Sequence, residues 1–385
     1  MALNRSEKIA VIGNGFAGLA AALIVARAGY EVALIGPKET GPISGGFQLA
    51  PNGLNALSRL GLNDLCSHAL PLQAINLARL KDGVELAHLD HAAHQRDYKS
   101  FSRQAFEAGL RDAVGQMPNI VSIASRVKAV ACDQKPVRLV LDDGQLITAD
   151  IVIGADGLMG KSRRLVAPLS TADQKTKAII LRAEINAAGL PAVMRQSQTR
   201  LWMGDGCHLV HYPIAKGPGS SDLSVNLVLT LSANKPDLLN KDTEMLLAYL
   251  FGHHPVLASM RAHANSWHRS ALADAPVPDV WRRGQLFLIG DAAHVMPPHL
   301  AQGIGQTLMD VDMLAQCLQH EPISIALSQM VRARMADIQM VARRAAQAGA
   351  ALRFSGQPAR LRDLMVGTSG AVLESWLEQI WTADT

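Results

Sequence analysis

Residues 8–36, KIAVIGNGFAGLAAALIVARAGYEVALIG, constrain the fold more than any other segment. KIAVIG (8–13) is an unbroken apolar run closed by glycine, the pattern of a strand buried on both faces. GFAGLAAALIVARAGY (15–30) carries Ala and Leu at helical spacing and stops at Gly29, and EVALIG (31–36) is a second buried strand. Strand, helix and strand at these lengths demand a parallel pair with a right-handed crossover. Gly13, Gly15 and Gly18 stand as GxGxxG between the strand and the helix. The first glycine permits a tight turn and the second lets a pyrophosphate approach the backbone. The third allows the helix to pack closely, and the helix N-terminus supplies partial positive charge. In this context the pattern points to a dinucleotide site, with a purely structural turn as the alternative. The acidic residue expected at the end of the second strand is missing: Gly36 occupies its place, and Lys38 or Glu39 in the next loop are the nearest substitutes. One absent hydrogen bond costs about 1–2 kcal/mol, which weakens such a site without abolishing it.

ADIVIGADG (149–157) and GQLFLIGDAAH (284–294) read as further buried strands. Between them TKAIILRAEI (176–185), TRLWM (199–203), CHLVHYPI (207–214) and SVNLVLTL (224–231) show partial alternation, with a turn signal in AKGPGSSD (215–222). From about residue 304 the chain reads as helices. The expected fold class is α/β: a Rossmann-like dinucleotide-binding domain with an inserted antiparallel-sheet domain and C-terminal helices. Residues 1–75, 98–172 and 277–385 form the first domain, and 76–97 and 173–276 the second.

Composition narrows the function. Aromatic residues are 4% of the chain and the formal charge is +4, with Lys and Arg scattered, so neither a base-stacking platform nor a nucleic-acid footprint is expected. Cys66, Cys132, Cys207 and Cys317 lie far apart without a CxxC pair, which suits a reduced cytoplasmic protein with no structural zinc. The pair His253–His254 has no acidic companion at ligand spacing, and no metal is expected. No apolar run reaches membrane-spanning length, and MALNRSEK leads straight into a strand, so neither a membrane span nor a signal peptide is expected. SGAVLESWLEQIW, mildly amphipathic, reads as a packing helix, with a membrane-surface role as the alternative.

The second informative stretch is GDAAHVMPPHLAQGIGQTLMD (290–310). Asp291 follows a buried strand, where its carboxylate can accept from a polyol hydroxyl. The prolines fix a loop, and Gly303 and Gly305 permit close backbone approach at the start of a helix whose amides favour negative charge.

Together with GGFQLAPNGLNALSRLGL (45–62), FSRQAFEAGL (101–110) and DIVIGADGLMGKSR (150–163), these motifs resemble the group A flavoprotein monooxygenases of the para-hydroxybenzoate hydroxylase fold, and most of all their salicylate and 3-hydroxybenzoate hydroxylase-like branch. The resemblance runs from about residue 7 to about residue 355. Two departures stand out: Gly36, and Met309-Asp310 where the family has Glu-Asp. The resemblance implies FAD held by Gly13, Gly15, Phe16, Ala17, Gly18, Val127, Asp156, Gly157, Asp291, Gly303, Ile304 and Gly305. Phe47 and Gln48 would border the flavin ring. Arg103 would contact the cofactor, as a guanidinium suits phosphate; a surface arginine is the alternative. NADH or NADPH would visit a surface groove, in keeping with the lack of a second GxGxxG. O2 would react at the flavin, and a C4a-hydroperoxide would hydroxylate a small phenolic or carboxylated aromatic or heteroaromatic ring.

For the substrate, His208 and Tyr212 share one face of CHLVHYPI, and in the family a His and Tyr so spaced flank the phenol and assist its deprotonation. A satisfied structural histidine is the competing reading of His208. His211 points the other way. His299 would bond substrate or hydroperoxide, or hold its loop; Arg182 would suit a substrate carboxylate; His294 packs or caps. A monomer or homodimer is expected. A halogenase lacks support because WxWxIP is absent; a reductase, or a degenerate protein binding FAD weakly, completes the alternatives.

Overall fold

The structure, a computed structural model, describes residues 5–38, 45–170, 176–216, 222–235, 241–252, 254–273 and 275–382. Glu39, His253 and most of the turn at 215–222 lie outside the described residues. KIAVI forms the strand Lys8–Ile12, buried from Ile9 onward. It pairs in parallel with Glu31–Gly36 and with Ile151–Gly154, so that Ile9 stands beside Val32 and Ile151. The helix between, Phe16–Arg27, is buried at every position from Gly18 to Ala26. A helix apolar on all sides must be covered on all sides; helices Arg103–Gly115 and Gly303–Leu318 pack against it from above the sheet. Among the described residues this sheet has six strands, in the order 282–283, 286–288, 151–154, 8–12, 31–36 and 120–124, parallel except for the first.

A second sheet has seven described strands, in the order His268–Ala273, Thr176–Asn186, Leu223–Ser232, Cys207–Ala215, Gln198–Met203, Ala74–Arg79 and Glu85–Asp90. Neighbours are antiparallel, except that 198–203 and 74–79 run in parallel. Strand alternation gives it two faces. Leu181, Leu209, Leu227 and Leu229 pack outward with Leu246, Leu247, Phe251 and Leu257 of helices Thr243–Phe251 and Pro255–His263. Arg182, His208, Val210, Tyr212 and Val228 point the other way, into a cavity. The boundary between residues 75 and 76 falls within the strand Ala74–Arg79, and that between 172 and 173 lies outside the described residues.

Two features escape the sequence pattern. Ile120–Ala124, with no fully buried residue, completes the first sheet. Residues 127–131, 137–141 and 146–149 form a small antiparallel sheet. Beyond residue 303 come helices Gly303–Leu318, Ile323–Leu352, Gln357–Thr368 and Gly370–Trp381. The last packs through Trp376, Leu377, Ile380 and Trp381. No described helix is long and apolar enough to cross a membrane.

Candidate active site

Residues of both large sheets and of the C-terminal helices line one continuous cavity of about 1380 Å³. A site for a single drug-sized ligand takes roughly 300–1,000 Å³, so this one has room for a dinucleotide and a small ring together. It gathers Gly13, Gly15, Phe16, Ala17, Phe47, Gln48, Arg103, Val127, Asp156, Gly157, Asp291, Gly303 and Ile304, and with them Arg182, His208, Tyr212 and His299. Gly18 and Gly305 are not part of this lining. A Cβ at Gly18 would stand 1.7 Å from the Gly13 carbonyl oxygen, and one at Gly305 would meet the Gly53 Cα at 3.6 Å. Gly18 has no room for a side chain, whereas the contact at Gly305 is an ordinary one.

The lining glycines form a cradle. Gly13 has φ +108°, and a Cβ there would lie 2.3 Å from the Ala155 carbonyl oxygen, so no other residue fits. Around Gly15, Gly157 and Gly303 an added Cβ would meet nothing within 4 Å: bare backbone faces open space at the N-termini of helices 16–27 and 303–318. Such ends receive anions. Arg103 lines the same space and has no ion pair among the described residues. The carboxylate of Asp156 accepts from the Ser162 amide at 3.1 Å, which caps helix Lys161–Val166. Burial pushes its pKa up, and its Oδ1 has no hydrogen-bond partner. Glycine turns, two helix ends and an unpaired guanidinium are the donor set that FAD requires, and these residues fit it.

At the adenosine end the missing acid has a physical counterpart. Asn14 lies over Gly36, where a Cβ would stand 2.3 Å from the Asn14 Cγ, and its Nδ2 donates to the Pro37 carbonyl at 2.9 Å. Lys38 is exposed and is not part of the lining; Ser125, Arg126 and Asp142 line this end instead. Installing the acid by Gly36→Glu should therefore weaken FAD binding about tenfold, since overpacking costs about 1–3 kcal/mol. Adding Asn14→Gly should restore it, as read by flavin fluorescence titration; a tighter single variant would refute the coupling.

At the other end, His208 stands in register with Met203 on one side and Thr230 on the other. It is buried, and its ring meets that of His299 edge to face at 5.1 Å. Burial, then the charges of His299, Arg353 and Arg362, push its pKa well below the ordinary histidine value. His299 accepts from Arg353 Nη1 at Nε2, 2.8 Å. Its ring fits against helix Ile323–Leu352 because a side chain at Gly349 would lie 2.0 Å from the His299 Cδ2. Tyr212 is buried with its pKa pushed up by that burial, against the pull of Arg103 and Arg182. Burial, and next the Arg103 charge, lower the pKa of Arg182. Arg182 bonds Ser270 Oγ at 3.3 Å and has no acidic partner among the described residues.

Gln48, on the strand Gly46–Leu49 that pairs with Lys99–Ser102, reaches the seven-stranded sheet: its Nε2 donates to Thr199 Oγ1 at 2.7 Å, and its Oε1 accepts from Tyr98 at 3.0 Å. His211, on the opposite face, accepts from Trp202 Nε1 at 3.0 Å. His294 is buried against Asp310. His254 accepts from the Val256 amide and caps its helix, and no three His, Cys, Asp or Glu among the described residues are placed to hold a metal. Asn14, Tyr98, Thr199, Trp376 and Trp381 also line the cavity. Sequence reading missed them because Asn14 is a variable position of GxGxxG and the others belong to no spaced motif.

Comparison with known proteins agrees with this geometry. The family described as "FAD binding domain" matches residues 6–345. 3-Hydroxybenzoate 6-hydroxylase of Klebsiella oxytoca is 31% identical over 84% of this chain and 83% of its own. 3-Hydroxybenzoate 6-hydroxylase 1 of Aquipseudomonas alcaligenes is 30% identical over 98% of each. 6-Hydroxynicotinate 3-monooxygenase of Bordetella bronchiseptica is 28% identical over 81% of this chain and 82% of its own. Among solved structures, Klebsiella pneumoniae HpxO complexed with FAD and uric acid superposes with a TM-score of 0.83 at 18% identity, covering 98% of this chain and 96% of that one. The motif resemblance thus holds along the chain, which belongs to the FAD-binding-domain family as a group A flavin-dependent monooxygenase.

Proposed function

We propose that this enzyme uses FAD, NAD(P)H and O2 to hydroxylate a small aromatic or heteroaromatic ring that carries a hydroxyl and a carboxylate. One observation carries the reading: a single cavity is lined both by the glycine cradle and by His208, Tyr212 and His299. The names of the 3-hydroxybenzoate and 6-hydroxynicotinate enzymes describe rings that bear both groups. Bound FAD supplies electron transfer from NAD(P)H and the activation of O2. Gly13, Gly15, Phe16, Ala17 and Arg103 hold its pyrophosphate, Asp291 its ribityl hydroxyls, and Gly303 and Ile304 the ring's polar edge, with Phe47, Gln48, Val127, Asp156 and Gly157 around it.

The protein's own residues prepare the substrate. His208, neutral because its pKa is depressed, accepts the hydrogen bond of the ring hydroxyl; Tyr212, protonated because its pKa is raised, donates to the same oxygen. Drawing the proton towards His208 enriches the ring for electrophilic attack. Arg182 takes the carboxylate, an ion pair that its guanidinium lacks among the described residues. His299, fixed by Arg353, orients His208. The buried side chains of Met296 and Trp381 keep water out. Four cysteines without disulfides support a cytoplasmic setting; a monomer or homodimer is proposed, to be measured by light scattering.

The test is the visible spectrum of the purified protein, followed by NADH and NADPH oxidation, O2 uptake and product analysis over hydroxylated benzoic and pyridine acids. The expected result is a yellow protein and a ring that gains one oxygen atom. His208→Gln should lower kcat about a hundredfold while the flavin stays bound. NAD(P)H oxidation yielding only hydrogen peroxide with every ring would favour the reductase reading, and a protein that FAD cannot colour would end both.

A further inference from the structure

We infer that the cavity continues past the reacting ring into an apolar chamber that receives an alkyl substituent of the substrate. The inference rests on the monooxygenase reading and specifies its substrate. The cavity face of the seven-stranded sheet changes character across its strands. Val210 stands opposite Leu201, and Leu201 beside Leu77; Leu89 follows on the next strand. Neighbouring strands are about 4.8 Å apart, so this apolar floor reaches roughly 10–14 Å sideways from the strand of His208 and Tyr212. Leu77, Leu89 and Met203 form a buried cluster, against which Leu352, Leu373 and Leu377 pack from the C-terminal helices. All six line the same cavity as the flavin cradle.

The guanidinium of Arg362, which lines this space, is taken up by other protein groups. Arg362 donates Nε and Nη2 to Asp363 and Nη1 to the carbonyls of Ala351 and Leu352. Asp363 also accepts from Arg79 Nε at 3.1 Å. These ions satisfy one another. The groups suited to a hydroxyl and a carboxylate, His208, Tyr212 and Arg182, stand on the flavin side. A bare single-ring acid would leave the chamber empty. A chain of several carbons, directed away from Arg182, would bury its methylenes against leucine, each worth about a fourfold gain in affinity.

The experiment titrates the FAD-loaded enzyme with hydroxylated aromatic acids alkylated at each free ring position in turn, as methyl, propyl and pentyl series. The absorbance change of bound FAD gives Kd, and product analysis gives kcat/KM. In one positional series Kd should fall about fourfold per methylene. Leu373→Trp, which fills the chamber, should flatten that series to a ratio near one, with a melting curve to establish that the variant folds. Equal Kd for bare and alkylated rings in every series overturns the chamber, whether or not the variant folds. So does a wild-type ladder that Leu373→Trp leaves intact. Alkylated rings that bind progressively tighter without being hydroxylated would uphold the chamber and remove the reaction assigned above.

Discussion

Replacing Asp310 with asparagine is expected to lower the unfolding free energy by about 3–5 kcal/mol, the usual result of leaving a buried charge without its partner. Asp310 is fully buried, with one carboxylate oxygen against His294 Nε2 and the other accepting from Arg334 Nε at 3.1 Å. Arg334 also donates to Gln306, and Gln302 Oε1 accepts from both Gln306 and Asn52 at 2.9 Å. The network joins the segment after Asp291 to helices 303–318 and 323–352. Met309 lies in the apolar core, and Arg334 also approaches Asp337, at 3.9 Å. Burial pushes the Asp310 pKa up, but His294 and Arg334 outweigh it and hold it below the ordinary 3.8. A group lowered in the folded state stabilises above its unfolded pKa and loses that contribution as pH falls through the folded value. The gap between wild type and Asp310→Asn should therefore be constant at neutral pH and narrow below about pH 5. Urea unfolding at neutral and acid pH measures it, and equal midpoints at pH 7 would refute the assignment.

The second large effect belongs to Gly13. Alanine there would combine a positive φ that costs about 1–3 kcal/mol with overpacking against the Ala155 carbonyl that costs about as much. The sum, near 4 kcal/mol, corresponds to FAD binding roughly a thousandfold weaker. Gly15→Ala provides the contrast, because the Gly15 backbone is extended and an added Cβ meets no protein atom. That variant should keep the melting temperature of the FAD-free protein and lose affinity only through the ligand. Fluorescence titration with FAD beside melting curves of both proteins separates the cases. A Gly13→Ala protein that retains full affinity would show that the cradle is misassigned.

The parts of the molecule legible in the sequence are those in which local pattern and burial coincide. KIAVI and EVALIG are buried on both faces, so their apolar runs are unbroken. CHLVHYPI alternates because one side faces helices and the other the cavity, and a period of two places His208 and Tyr212 together. Ile120–Ala124 gives no such signal because half-exposed residues break the run. GxGxxG and Gly303-Ile304-Gly305 mark the right turns, yet spacing does not separate a glycine that faces a ligand from one that admits a neighbouring element. At Gly18 a Cβ would stand 1.7 Å from the Gly13 carbonyl oxygen, a close approach that spacing alone does not reveal. Pairs remote in sequence leave no local trace: Asn14 over Gly36, His299 against Gly349, and Gln48 to Thr199 are visible only once the chain is folded.

The part of the chain that matches the family model ends at residue 345, whereas Leu352, Leu373, Trp376 and Trp381, which also line the cavity, all follow it. The cavity wall is thus shared between sheet residues inside that stretch, His208 and Tyr212 among them, and helices that follow it. A substitution in those helices would reshape one wall of the guest's berth while leaving the glycine cradle and the sheet residues in place.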